Sequence, residues 1–225
     1  MKLRITDEWG GEMTKGLFIS IEGLDGAGKS TQINFMKRFL EDKGLEVLIT
    51  REPGGTIIGE KIREIILDKQ HQEMADTTEA LLYAAARAQH VKEFILPALR
   101  EGKVVLCDRF VDSSIAYQGG GRRLGQEEVK AINDFATQRL EPNLTMFFDI
   151  SPETSLKRID VKDIDRLEQE KIEFHRTVYN TYLDLAKKYP ERMRIVKADK
   201  GIEEIKQEVE VILKELIEKI SLKSI

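Results

Sequence analysis

The sequence predicts an α/β domain in which a parallel β-sheet is covered by helices on both faces. Short apolar runs typical of buried strands alternate along the chain with segments whose apolar residues recur at helical spacing. Strands that alternate with helices favour a parallel sheet, because each helix returns the chain to the edge where the previous strand began. The 225 residues suit one domain, and no repeat, low-complexity tract or linker divides them.

Five apolar runs are predicted as strands, and seven segments of helical periodicity as helices. The predicted strands are 16–22, 45–50, 103–108, 144–150 and 192–198. The predicted helices are 29–43, 57–68, 76–100, 126–140, 152–160, 167–188 and 201–221. Residues 1–15 show no periodicity and are predicted to be an N-terminal extension, which leaves 16–225 for the domain.

Composition narrows the class of protein and its partners. The net charge of −4 argues against a binder of nucleic acid polymers, whose domains usually carry a basic excess. No run approaches the ~20 apolar residues of a membrane helix, and the N-terminus lacks the apolar core of a signal peptide. The single cysteine, Cys107, excludes an internal disulfide and predicts a reducing, cytoplasmic setting.

A phosphate-binding motif follows the first predicted strand. Residues 23–30 fit the pattern G-x-x-x-x-G-K-[ST] and lie between a strand and a helix, as the mechanism requires. The glycines let backbone amides converge on phosphate oxygens, Lys29 neutralises the β and γ oxygens, and the Ser30 hydroxyl can ligate Mg²⁺. The predicted nucleotide-binding residues are Gly23, Leu24, Asp25, Gly26, Ala27, Gly28, Lys29, Ser30 and Thr31.

Asp25 is an unusual residue in this motif, because a carboxylate directed at the phosphates would be repelled at close range. The carboxylate is therefore expected to point away from them. A second substrate with a hydroxyl group would give it a partner, which favours a kinase over a simple nucleotide hydrolase. A solvated turn residue is the alternative interpretation.

Two further strands end in polar residues, at the sheet edge where open α/β sheets bind ligands. Arg51 stands beside a Pro-Gly-Gly turn in the segment TREPGG, and Asp108 and Arg109 follow the third strand. Asp108 resembles the carboxylate that holds Mg²⁺ or its water in phosphate-loop proteins. A tight turn with a surface arginine and a helix-capping aspartate are the alternatives.

Two more segments carry candidate binding residues. Tyr83 and Arg87 lie four residues apart on one face of an Ala-rich helix, where packing and a salt bridge are the alternative. The segment AYQGGGR, 116–122, is predicted to be a flexible Gly-rich stretch with an aromatic ring, an amide and an arginine.

Taken together, five motifs resemble those of the bacterial thymidylate kinases, a branch of the nucleoside-monophosphate kinases. They are EGLDGAGKST, TREPGG, LLYAAARAQ, DRFVDSSIAYQGGGR and DRLEQE, and the resemblance runs in order from about residue 16 to residue 212. It implies a single-domain phosphate-loop NTPase fold of three layers with a small lid. It also implies transfer of the γ-phosphoryl group of Mg²⁺-bound ATP to dTMP, giving dTDP and ADP, and a homodimer.

The resemblance assigns residues to the sugar and phosphate of the acceptor. Asp25 is matched to the deoxyribose 3′-hydroxyl, which would explain its place in the loop. Arg51, on the turn that Pro53 shapes, and Arg109 are matched to the dTMP phosphate, and Tyr117 to the residue that crowds a ribose 2′-hydroxyl.

Other residues are matched to the base. Tyr83 stands where the family uses phenylalanine to stack on thymine, and Arg87 would reach the base edge or the phosphate region. Ser113 and Gln118 match positions around the base.

The lid segment, residues 156–168, is the predicted source of a transition-state arginine. One branch of the family carries this arginine in the phosphate loop, where the chain has Gly26, and the bacterial branch takes it from the lid. Arg158 and Arg166 are favoured over Lys162, because a planar guanidinium bridges two phosphate oxygens. A solvated, salt-bridged helix junction is the alternative. The residues predicted to act in catalysis are Lys29, Arg109, Arg158 and Arg166, with Ser30 and Asp108 at the metal.

Two other functions stay open at this point. The first is a kinase for another nucleotide or for a nucleoside, since a pocket for the 5-methyl group distinguishes dTMP from dUMP by only about 1–3 kcal/mol. The second is an ATP-dependent regulatory binder, although the chain lacks the N-K-x-D guanine motif of a GTPase switch.

Overall fold

The computed structural model describes residues 16–159 and 165–221, and its sheet confirms the predicted class. Five strands pair in parallel in the order β2-β3-β1-β4-β5. They are β1 Leu17–Glu22, β2 Val47–Arg51, β3 Val104–Asp108, β4 Leu144–Asp149 and β5 Met193–Lys197. The predicted extension, residues 1–15, and Lys162 lie outside the described residues.

Helices cover both faces of the sheet. They are α1 Lys29–Glu41, α2 Ile57–Leu67, α3 Asp76–His90, α4 Leu96–Arg100, α5 Val111–Ser114, α6 Gln126–Thr137, α7 Pro152–Arg158, α8 Ile172–Lys188 and α9 Ile202–Ser221. Two π-helical segments, Val91–Ile95 and Ile115–Gly121, join α3 to α4 and extend α5. Among the described residues, no helix has the length and apolar character needed to span a membrane.

The core lies on both sides of the sheet, so the central strands β1, β3 and β4 are buried along most of their length, whereas the edge strands β2 and β5 have exposed positions. Along β1, Ile19 and Ile21 pack into a cluster with residues of α1 and α9, whereas Phe18 faces the opposite cluster with Val105 and residues of α4. Successive side chains of a strand point to opposite faces, so a strand buried on both sides is apolar at most of its positions.

The predicted helices exist, but several boundaries were wrong. α8 begins at Ile172 rather than at 167, because Asp165 accepts hydrogen bonds from the amides of Leu167 and Glu168 and so forms a separate turn. α6 ends at Thr137 because the next two residues have positive φ. α7 ends at Arg158, after which the backbone is extended. The predicted helix 76–100 contains the π-helical turn next to Pro97, which has no amide hydrogen for the regular ladder.

The prediction that residues 116–122 form a flexible segment was wrong, because most of them belong to the π-helical segment and several are buried. The glycines serve close packing instead. A Cβ on Gly120 would lie 2.2 Å from Thr181 Oγ1, and one on Gly121 would lie 2.5 Å from the Phe174 ring. Both partners belong to α8, so the glycines let this helix approach the segment that follows α5.

We expect Gly120→Ala to lower the free energy of unfolding by about 1–3 kcal/mol, the usual cost of overpacking. The added methyl group would press against Thr181, while the backbone angle at Gly120 suits any residue. Urea denaturation of Gly120→Ala, Thr181→Ala and the double variant measures the effect. The double variant should lose less unfolding free energy than the two single variants lose together. Strict additivity of the losses would contradict the proposed contact.

Candidate active site

The phosphate loop joins β1 to α1 at the carboxyl end of the sheet. Gly23, Gly26 and Gly28 have φ of 135°, 77° and 81°, which side chains rarely adopt, and α1 begins at Lys29. A Cβ on Gly26 would also lie 2.7 Å from the Ser155 carbonyl oxygen and 3.0 Å from Arg158 Cβ. A glycine-rich turn at a helix N-terminus is suited to bind phosphate.

Lys29 lies across this loop. Its ammonium group donates to the carbonyl oxygens of Gly23 and Leu24, each at 3.1 Å, and lies 3.4 Å from Asp25 Oδ1. The Lys29 side chain is 5% exposed, whereas Ser30 and Thr31 are exposed at the start of α1. The loop therefore holds its lysine in place and leaves two hydroxyl groups accessible.

The sheet register brings three functional segments together. Asp108, the last residue of β3, pairs with Ile21 of β1 on one side and with Arg51 of β2 on the other. One buried oxygen of Asp108, Oδ1, has no hydrogen-bond partner among the described residues. A carboxylate oxygen without a partner and an exposed serine hydroxyl fit the oxygen ligands that Mg²⁺ prefers, so Asp108 and Ser30 are suited to hold this ion.

A cavity of about 380 Å³ opens beside the loop, within the usual size of a ligand pocket. Eight of the nine residues matched to the acceptor line it. They are Asp25, Arg51, Pro53, Tyr83, Arg109, Ser113, Tyr117 and Gln118. Asp108 and Arg158 line the same cavity, together with Arg63, Asp165 and Glu168, which the sequence did not suggest.

Asp25 and Arg109 form an ion pair inside the cavity. Arg109 Nη2 donates to Asp25 Oδ2 at 2.7 Å, and the guanidinium lies 5.0 Å from the centre of the Tyr117 ring. Burial favours a higher pKa for Asp25, but Arg109 and Lys29 outweigh it and hold the pKa of this carboxyl well below its usual range. Arg109 has φ of 70°, a strained angle for a side chain, which is typical of functional positions.

A buried carboxylate, Glu22, supports the Arg109 segment from below. It accepts hydrogen bonds from the Phe110 amide and Ser20 on one oxygen, and from Ser113 and Tyr182 on the other. Burial raises the pKa of Glu22, and its four donors compensate for the loss of water. The orientation of the cavity wall therefore depends on a carboxylate at the end of β1.

The turn after β2 contributes two arginines. Arg51 and Arg63 both donate to the carbonyl oxygen of Pro53, at 2.8 and 2.9 Å, and Arg51 also pairs with Glu60 at 2.9 Å. Burial and the neighbouring Arg51 lower the pKa of Arg63. No motif in the sequence indicates Arg63, because it lies on α2, outside the segment TREPGG. Only the packing of that helix brings it to the cavity.

Arg87 lies behind the cavity wall and does not line it, which differs from its predicted contact with the base or the phosphate. Its guanidinium donates to Glu52 at 2.5 Å, to Ser114 at 2.9 Å, to the Phe110 carbonyl at 3.0 Å and to Asn133. The side chain is 1% exposed and its donors are engaged by the protein. Arg87 therefore fixes the wall from the inside.

Glu52 also joins a buried cluster with His90 and Cys107, whose ligand atoms lie within 4.8 Å of one another. His90 contacts Glu52 at 2.9 Å and Thr50 at 2.7 Å, so both ring nitrogens are occupied. Arg87 already supplies a positive charge to Glu52. This cluster is a hydrogen-bonded support of the turn that carries Arg51, and its atoms leave no free set for a cation.

The two lid arginines differ in position. Arg158 lies on α7, lines the cavity and donates to the carbonyl oxygens of Ala198 at 3.1 Å and Gly26 at 3.5 Å. Arg166 is 7% exposed and does not line the cavity, because it pairs with Glu79 at 2.5 Å and donates to the Ile66 carbonyl at 2.9 Å. The structure therefore brings one of the two predicted lid arginines to the cavity and buries the other.

Glu168 of the lid segment lies in the cavity next to two other acids. Its Oε2 accepts the Asp165 amide at 2.7 Å. Burial, followed by the hydrogen bonds and negative charges of Asp165 and Asp25, raises the pKa of Glu168 to about 9. At neutral pH this carboxyl therefore carries a proton in the unliganded protein.

We expect this proton to make stability depend on pH. Because the folded pKa of about 9 exceeds the ordinary 4.5, the folded state keeps a proton that the unfolded chain releases. The stabilisation of the folded state by the proton on Glu168 is fully present below about pH 4.5 and is lost as the pH rises towards 9. Glu168→Gln keeps the group neutral, so its unfolding free energy should fall less than that of the wild type between pH 5 and 9. Urea titrations test this, with Glu173→Gln, at an exposed position of α8, as control. Parallel curves for wild type and Glu168→Gln would contradict it.

Comparison with known proteins agrees with this site. The family model described as thymidylate kinase matches residues 21–209. A thymidylate kinase of Lactobacillus acidophilus is 52% identical over 209 residues, which cover 91% of this chain and 97% of that protein. One of Lactobacillus helveticus is 55% identical over 202 residues, covering 87% and 94%. The crystal structure of a thymidylate kinase from Ehrlichia chaffeensis has a TM-score of 0.71 and 31% identity, covering 88% of this chain and 98% of that one. The resemblance found in the sequence is confirmed: the chain belongs to the thymidylate kinase family, enzymes that phosphorylate dTMP to dTDP.

Proposed function

We propose that the chain transfers the γ-phosphoryl group of ATP to dTMP in the cavity beside the phosphate loop. The observation that carries this proposal is the Asp25–Arg109 pair, which lies in the cavity and joins the phosphate loop to the segment after β3. An oxygen of the dTMP phosphate attacks the γ-phosphorus, the bond from that phosphorus to the bridging oxygen breaks, and ADP leaves. Because a phosphate monoester is largely ionised at neutral pH, the attacking oxygen needs no base, and catalysis is positioning and charge stabilisation.

The charges of the cavity favour a phosphorylated acceptor over a nucleoside. Arg51, Arg63 and Arg109 all line it, and none is needed to bind a neutral sugar and base. We assign Arg51 and Arg109 to the acceptor phosphate, as the resemblance implies, and add Arg63 as a third cation. Guanidinium groups suit this role because they donate two parallel hydrogen bonds to phosphate.

The remaining acceptor residues are assigned by their place in the cavity wall. Asp25 would accept a hydrogen bond from the 3′-hydroxyl, and Tyr117 would exclude a 2′-hydroxyl. Tyr83 would stack on the base, with Ser113 and Gln118 near its edge. All five line the cavity, which supports these roles. Arg87 is assigned to the support of the wall, because its donors are engaged there.

The donor side rests on the phosphate loop, residues 23–31, with Lys29 on the β and γ oxygens. Ser30 and Asp108 would hold Mg²⁺, which supplies positive charge to the oxygens of the transferring group. We assign the transition-state arginine to Arg158, since it alone of Arg158 and Arg166 lines the cavity.

A homodimer and a cytoplasmic location are also proposed, the first from the family resemblance and the second from the single cysteine. Light scattering of the purified protein tests the dimer.

We expect Asp25→Asn to keep ATP binding and to lower kcat/KM for dTMP by about 10²-fold or more, the scale of a lost charged contact in the transition state. Coupled measurement of ADP production with dTMP, dUMP, dCMP and thymidine gives the acceptor profile, and titration calorimetry gives ATP affinity. Asp184→Asn, on the exposed side of α8, is the matched control. Unchanged kinetics for dTMP in Asp25→Asn would reject the role of Asp25, and preference of the wild type for another acceptor would reject dTMP as substrate.

A second comparison separates the two lid arginines. Arg158→Ala should lower kcat on the order of 10³-fold with a small change in KM, because a positioned arginine stabilises the transferring group in the transition state. Arg166→Ala should lower kcat less and should reduce stability, because it removes a buried ion pair with Glu79. Steady-state kinetics and thermal melting decide the assignment. A larger loss of kcat in Arg166→Ala than in Arg158→Ala would reverse it.

A further inference from the structure

Glu79 is a fully buried carboxylate that the proposed mechanism leaves without a role. It lies on α3, one helical turn before Tyr83, and is 0% exposed. One of its oxygens accepts from Gln118 at 2.9 Å and from Arg122 at 3.3 Å. The other accepts from Arg122 at 3.1 Å and from Arg166 at 2.5 Å. Although burial favours a higher pKa, the donors Gln118, Arg122 and Arg166 hold the pKa of Glu79 below its ordinary value.

An ionised carboxylate determines which end of the Gln118 amide faces it. A carboxylate accepts hydrogen bonds and has none to donate, so the amide nitrogen of Gln118 must face Glu79. This chemical requirement settles the choice between oxygen and nitrogen that geometry alone leaves open for a glutamine. The Gln118 carbonyl oxygen is then the polar group left for the cavity, which Gln118 lines, and it has no hydrogen-bond partner among the described residues.

The orientation of this amide matters because pyrimidine bases differ at N3. Thymine and uracil carry a hydrogen on N3, which a carbonyl oxygen can accept. Cytosine has a lone pair at N3, which a carbonyl oxygen repels. A ligand that leaves a buried protein acceptor without a hydrogen bond, or places a second acceptor against it, is strongly disfavoured.

We propose that Glu79 is a positioning residue for acceptor choice, which holds the Gln118 amide so that its carbonyl oxygen faces N3 of the base and selects a pyrimidine with a hydrogen there over cytosine. This inference rests on the proposed function, in which Gln118 lies beside the base. Glu79 does not touch the acceptor and acts through Gln118. The same carboxylate holds Arg166 and Arg122, so the base side of the cavity and the lid segment share one anchor.

The test is the preference for dTMP over dCMP in Glu79→Gln. A neutral amide at position 79 can offer either its oxygen or its nitrogen, so Gln118 can turn its amino group towards the base. We expect the ratio of kcat/KM for dTMP to that for dCMP to fall at least about 10-fold, while the ratio of dTMP to dUMP stays unchanged. Both bases of the second pair carry a hydrogen on N3, so a general loosening of the site would not separate the two ratios.

Arg166→Gln is the matched control. It removes the contact of the lid segment with Glu79 and leaves the contact of Glu79 with Gln118. It should lower turnover for dTMP, dUMP and dCMP by a common factor and keep both ratios. If Glu79→Gln behaves in the same way, the carboxylate has a structural role only and the inference is overturned.

Glu79→Asp provides a second variant if Glu79→Gln does not fold, as judged by circular dichroism. It keeps the charge but withdraws the carboxylate from Gln118, and the same fall in the dTMP to dCMP ratio is expected. An unchanged ratio in a folded Glu79→Asp variant would overturn the inference. A wild type that does not phosphorylate dTMP would overturn the proposed function, whereas an active wild type with an unaltered ratio in the variants would overturn this inference alone.

Discussion

The parallel register of β1, β2 and β3 is the constraint on which the site depends. Because Asp108 pairs with both Ile21 and Arg51, the phosphate loop, the turn with Arg51 and the segment with Arg109 leave the sheet side by side. Parallel strands end at a common edge, and every crossover helix returns the chain to the opposite edge. The phosphate loop on the donor side and Arg109 on the acceptor side of the proposed reaction are thus joined by one ion pair, between Asp25 and Arg109.

Alternation of charge keeps so many ionisable groups stable in one cavity. Arg109 and Lys29 lie next to Asp25, and Arg51 pairs with Glu60. Glu168 is protonated, and Glu22 accepts hydrogen bonds from four neutral donors. The arrangement answers the question raised by Asp25, since its carboxylate lies between Arg109 and Lys29 and is neutralised from both sides. A bound phosphate would enter a site where the positive charges are already positioned by carboxylates.

The sequence predicted what depends on local chemistry and missed what depends on packing between distant elements. The phosphate loop, Arg51, Asp108 and Arg109 lie at or next to strand ends, so their place in the chain was enough to predict a shared edge. Tyr83, Tyr117 and Gln118 lie on helical segments and were assigned through the family resemblance. Arg63 and Glu79 reach the site through helices whose orientation no local pattern specifies. Arg87 was expected to reach the ligand with Tyr83, but acceptors from distant segments, Glu52 and the Phe110 carbonyl oxygen among them, hold its guanidinium in the interior.

Gly26 limits which residue the phosphate loop can carry at this position. Any side chain there would meet the backbone of Ser155 and the base of Arg158, so the loop and the start of the lid are fitted against each other without a gap. An arginine could enter the loop only if α7 withdrew, and that withdrawal would carry Arg158 away from the cavity. If Arg158 is the transition-state arginine, as proposed, an arginine at position 26 and Arg158 could not both reach the cavity in this arrangement of loop and helix.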